Sequence, residues 1–155
     1  MIISFVGHSF VSSSSRVKEI VKELMKNNII DVKKVSCYLG GYGDFDQICA
    51  CACKELKQEY NSIETVYVTP YICLSVQEKI KEIRSGGLYD TVIYPPIENV
   101  PLKFAIIKRN EWMMENADLV IAYVKYNYGG AYKSLQAAKR RKKTVINICE
   151  VFDNC

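Results

Sequence analysis

Three short glycine turns are the residues best placed to do chemistry in this 155-residue chain. They read Gly7-His8-Ser9, Gly40-Gly41-Tyr42-Gly43-Asp44-Phe45-Asp46 and Tyr128-Gly129-Gly130-Ala131. Each follows a strand-like run and precedes a stretch with helical spacing. Glycine lets a backbone come close to a phosphate, and the free N–H groups of a helix's first turn hold an anion. In an open parallel sheet such turns border the crevice beyond the carboxyl ends of the strands, where ligands bind. The candidate ligand-binding residues are therefore Gly7, His8, Ser9, Gly40, Gly41, Gly43, Asp44, Tyr128, Gly129 and Gly130. A nucleotide-like small molecule is the expected partner. No turn continues into Gly-Lys-Ser/Thr and none reads G-x-G-x-x-G, which disfavours an NTPase or an ordinary NAD dehydrogenase. Glycine also ends strands for conformational reasons alone, so three such turns weigh more than one.

Other side chains near these turns carry two readings each. Tyr42, Tyr71, Tyr126 and Tyr128 fall near strand ends, where a ring can stack on a base or simply cover the edge of the core. His8, the one histidine, either faces the ligand or is satisfied by backbone. The run Cys49-Ala50-Cys51-Ala52-Cys53 invites a metal reading. On a helix, though, Cys49 and Cys53 share a face while Cys51 points away, and no histidine lies near. Neither a metal nor a cofactor is expected.

The elements that must position these turns alternate. Strands are expected over residues 2–7, 34–39, 64–69, 90–94, 118–124 and 144–149. Helices are expected from the Ser12–Ser15 cap candidates onward, from Asp44 or Asp46 to about Tyr60, over 75–85 and 102–116, and from just after Gly129-Gly130 to about Lys142. Strands alternating with helices imply an α/β, three-layer Rossmann-like fold with a mainly parallel sheet flanked by helices. The whole chain, 1–155, reads as a single domain, with no internal repeat.

Composition limits the partners. Seven cysteines, an odd number and mostly in apolar runs, fit a reducing cytoplasm. No apolar run reaches the ~20 residues that cross a bilayer, so no membrane is expected. The apolar start, residues 1–7, reads as a strand and not as a signal peptide. A formal net charge of +4 is modest, and Lys139-Arg140-Arg141-Lys142-Lys143 falls where a helix ends, a favoured place for cations. On that basis nucleic acid is an unfavoured partner. An apolar helix face with Phe104, Ile107 and Trp112 leaves a homodimer open.

The order of motifs resembles a known family. Lys108-Arg109-Asn110-Glu111-Trp112-Met113-Met114-Glu115-Asn116-Ala117-Asp118-Leu119-Val120-Ile121-Ala122 is similar to the R-N-x-x-M…A-D-x-(L/V)-I-A signature of the SLOG superfamily. The turn at residues 40–46 resembles that family's G-G-A-x-G-x-D turn, seen also in the DNA-processing protein DprA, and Gly7-His8 resembles its opening turn. Within the superfamily the chain looks most like the YpsA/YoqJ-like proteins. The resemblance runs nearly the whole length and implies a Rossmann-like domain. It implies nucleotide binding or sensing first. Arg109 would then hold a phosphate, its plainer reading being a partner for a carboxylate.

A second branch, the LONELY GUY type, cleaves nucleoside monophosphates at the N-glycosidic bond. Arg109 and Met113 match its R-K-x-x-M pattern, but Gln136 stands where its P-G-G-x-G-T-x-x-E motif has the acid. An oxocarbenium-like transition state needs an anion or a base, and Gln136 supplies neither. An N-glycosidase or phosphoribohydrolase, the alternative function, would have to use Asp46, Arg109 and Glu111 as catalytic residues. Asp46 has helix capping as its plainer role. DprA-like DNA binding is the second alternative.

Overall fold

The computed structural model describes residues 1–72, 78, 80–82 and 85–152. Among them the elements run β1 (Ile2–Gly7), α1 (Ser14–Ile29), β2 (Val35–Leu39), α2 (Asp44–Leu56), β3 (Ile63–Val68) and β4 (Thr91–Ile93). A 3-10 turn, Leu102–Phe104, then leads into α3 (Ala105–Asn116), β5 (Leu119–Tyr123), α4 (Gly129–Arg140), β6 (Thr144–Asn147) and the short α5 (Ile148–Val151). The strand expectations hold to within two residues at each end. The helix expected over 75–85 lies in large part outside the described residues.

The six strands form one wholly parallel sheet in the order β4-β3-β2-β1-β5-β6. The chain walks outward from β1 to β4, then returns past β1 to place β5 on its other side. The strand order therefore reverses between β1 and β5, and the chain leaves their paired carboxyl ends in opposite directions, which leaves a crevice.

Alternation along β1 feeds two cores. Ile3 and Phe5 join the side chains of α1 and α2, including Val21, Met25, Cys49 and Cys53. Val6 joins Met113, Met114, Leu135 and Ala138 of α3 and α4 on the opposite face. Cys49 and Cys53 are buried while Cys51 is half-buried, as the helical spacing implies.

Three expectations shift. Helix α2 stops at Leu56, because the polar residues after it turn back and the Tyr60 N–H bonds to the Leu56 carbonyl at 2.8 Å. Strand β6 stops at Asn147, whose side chain is spent on a neighbouring strand end. Trp112 does not share an open face with Phe104 and Ile107. It stacks on Tyr38 at 5.6 Å with an interplanar angle of 6°, while Phe104 and Ile107 are exposed.

Candidate functional site

The switch point opens into a crevice of about 530 Å³ at the carboxyl ends of β1, β2 and β5, walled by α3 and the start of α4. Of the residues singled out in the sequence, Gly7, His8, Ser9, Gly40, Gly43, Asp46, Arg109, Tyr128, Gly129 and Gly130 line it. Gly41, Asp44 and Glu111 do not. Glu111 lies in the adjoining depression between α3 and α4 and forms an ion pair with Lys108 at 2.7 Å.

The glycines divide into two kinds. A Cβ on Gly7 would sit 2.4 Å from the Phe45 ring, and one on Gly40 would sit 2.8 Å from Arg109 Nη1. One on Gly41 would meet Tyr67 at 2.4 Å, and one on Gly43 the Ser9 Cα at 2.6 Å. At these four positions the protein's own packing excludes a side chain. Gly129 and Gly130 differ, because among the described residues nothing lies within 4 Å of either Cβ position. Gly129 needs its freedom for φ +86°, which starts α4. Gly130 has neither strain nor a close neighbour. Its missing side chain leaves the first turn of α4 bare toward the crevice. That first turn holds no acidic residue, and no side chain caps it, so its N–H groups and the helix dipole present positive potential.

Asp46 is held within the second turn. Gly43 is the N-cap of α2, and Asp46, three residues on, reaches back to accept from Tyr42 N at 3.0 Å and Gly40 N at 3.3 Å. Burial pushes its carboxyl above the ordinary value, with the Tyr42 N–H, Arg109 and the Gly40 N–H opposing. Asp44 ties this turn to the first: its Oδ2 accepts from Val11 N at 3.1 Å, and its own N–H donates to the Ser9 carbonyl at 2.9 Å.

Arg109 is 1% exposed. Its Nη1 donates to the carbonyls of Gly40 at 2.8 Å and Val68 at 2.6 Å, at the ends of β2 and β3. Burial lowers its pKa and the Asp46 carboxylate opposes that, so the guanidinium keeps its charge. Its Nε is buried with no hydrogen-bond partner among the described residues. Tyr42 lies over the guanidinium at 5.4 Å from ring centroid to Cζ.

His8 clamps the third turn. Its Nε2 accepts from Lys125 N at 2.9 Å and Tyr126 N at 3.2 Å, which assigns the proton to Nδ1 of a neutral ring. Burial lowers its pKa, in keeping with that state. Just before this clamp, Asn147 exchanges two hydrogen bonds with Val124, accepting at its N–H (3.0 Å) and donating to its carbonyl (2.9 Å). The loop from β5 to α4 is thus fixed from both sides. Tyr126 packs between His8 (5.1 Å) and Tyr128 (5.5 Å), and Tyr128, 68% exposed, ends this column of rings at the surface. Asn147 was not foreseen; a polar residue closing the apolar run Thr144-Val145-Ile146 was its only sign. Tyr71 lies away from the crevice, in a depression with Pro70 and Tyr94.

No family model and no curated protein sequence matches the chain. Solved structures do. DNA processing protein A from Helicobacter pylori, described for its single-stranded DNA binding mode, aligns with a TM-score of 0.61 over 94% of this chain at 19% identity. DNA processing protein A (DprA) from Streptococcus pneumoniae aligns with a TM-score of 0.62 over 92% at 17% identity. The alignments cover 63% and 48% of those longer chains. At such identities the likeness is one of fold, compatible with the resemblance to the SLOG superfamily. It also corrects one expectation. Modest net charge made nucleic acid an unfavoured partner, yet a neighbour with this fold binds single-stranded DNA. Net charge averages over the molecule and does not report the potential at one crevice.

Proposed function

We propose that the crevice binds single-stranded DNA, with a backbone phosphate at the first turn of α4 and a base on the Tyr128 ring. The reading rests on one juxtaposition: the bare Gly129–Gly130 turn beside buried, charged Arg109, next to an exposed tyrosine. Helix N–H groups take a phosphate, and the buried guanidinium behind the crevice adds positive potential that favours it. An aromatic face stacks any base, and a ring left 68% exposed suits a strand lying across a surface. The neighbours with this fold lend support. We also take the chain to be a YpsA/YoqJ-like member of the SLOG superfamily, on the motifs quoted above.

A free nucleotide would use the same groups, so binding of a nucleotide unit is common to both readings. Turnover is not part of the proposal. Both Asp46 oxygens are engaged by backbone N–H groups, and Glu111 lies outside the crevice, paired with Lys108. The test is competition. A labelled oligothymidylate bound to the protein is challenged with unlabelled single strand, duplex and a nucleoside monophosphate. Displacement by single strand well ahead of the other two supports the proposal. Displacement by the monophosphate at equal nucleotide concentration assigns the crevice to a free nucleotide.

A further inference from the structure

A second depression of about 450 Å³ lies at the carboxyl ends of β5 and β6, on the other side of the loop that follows β5. Tyr126 lines both this depression and the central crevice, so the two adjoin at its side chain. Lys125 and Lys139 bring positive charge to the second depression, and Asn127 and Gln136 bring amides that can meet a base edge. Among the described residues that line it the one carboxylate is Glu150, already paired with Lys139 at 3.2 Å; the pair is exposed at 42% and 58% and is easily exchanged for a phosphate. Asn147 and His8 hold the separating ridge in place, so the two depressions keep a fixed spacing.

We infer that the second depression is a further nucleotide subsite, and that one strand passes from the crevice over the Tyr126–Tyr128 ridge into it. This rests on the reading of the crevice as a nucleotide site. A strand on that path puts one phosphate at the first turn of α4 and another beside Lys139. A ligand of one nucleotide fills only the crevice.

The experiment measures affinity for 5′-phosphorylated oligothymidylates of one to about eight nucleotides, for the full chain and for Lys139→Gln, over a range of salt. The expected result is affinity that rises past one nucleotide, by about tenfold per added stacked base, and then levels off. Lys139→Gln then flattens the slope of log K against log salt by about 0.7 for the longer strands and leaves that for the single nucleotide unchanged. Lys139 is exposed on α4, so its loss does not threaten folding. If affinity is already level at one nucleotide, the second subsite is overturned and the crevice is a site for a free nucleotide; if affinity rises with length but Lys139→Gln changes short and long ligands alike, the second subsite alone is overturned and the crevice reading stands. If no length binds, the crevice reading fails as well.

Discussion

Asp46 and Arg109 grip the same residue from its two ends. Asp46 accepts the N–H of Gly40, and Arg109 donates to the carbonyl of Gly40. Neither group is idle: the carboxylate shapes the turn after β2, and the guanidinium ties that turn to Val68 at the end of β3. Asp46→Asn keeps the shape but offers one acceptor oxygen where two N–H groups call for two. One N–H then goes unmet, and the loss of stability should be about 1–3 kcal/mol. Urea unfolding of the variant measures it. An unchanged midpoint would mean that the turn does not depend on this carboxylate.

His8 makes the crevice sensitive to acid. Its folded pKa lies below the ordinary value, so the unfolded chain binds the proton more readily than the native one. The stability that neutral His8 contributes is present above the unfolded pKa of about 6.5 and is lost as pH falls through the folded pKa. A protonated ring cannot accept the Lys125 and Tyr126 N–H groups. Hydrogen exchange at these two amides should therefore speed up, relative to other loop amides, between pH 7 and pH 5. The His8→Phe variant should lack that step. Equal behaviour of the two proteins would remove His8 as its cause.

The two kinds of glycine should respond oppositely. Gly7→Ala drives a methyl into the Phe45 ring and should cost about 1–3 kcal/mol of stability. Gly130→Asp meets open space and places an acid in the first turn of a helix, which should add about 0.3–1 kcal/mol. The same charge repels a phosphate, so binding should fall at least about tenfold while the melting point holds or rises. Thermal melts and DNA titration on the same preparations separate the two effects.

Tyr128→Ala removes a ring that is mostly in solvent, so stability should change by less than about 0.5 kcal/mol. Affinity for single-stranded DNA should fall by the worth of one base stack, about 1–3 kcal/mol. Calorimetric titration with an oligothymidylate checks this. Unchanged affinity would place the base elsewhere.

The fold was largely legible because its signals are local. The run Leu119–Tyr123 is apolar throughout and is buried throughout, and a helix does follow Tyr128, although Gly129 and Gly130, expected to precede it, form its first turn. The site was legible in outline, since the turns at Gly7, Gly40 and Gly129 converge on one crevice. Roles within it were harder to read. Whether a glycine is small for a ligand or for a ring such as Phe45 depends on contacts between distant segments. Asp46 and Arg109 are 63 positions apart, and only the sheet order brings both onto Gly40. Asn147 gave little sign because its partner, Val124, lies on another strand end.

The most direct test titrates the protein into a fluorescently labelled oligothymidylate and follows anisotropy at low and at raised salt, with Gly130→Asp beside it. The account predicts saturable binding that weakens steeply with salt, competition by single strand but not by duplex, and loss of binding in Gly130→Asp without loss of fold. No rise in anisotropy, or equal binding by the folded Gly130→Asp variant, would contradict it.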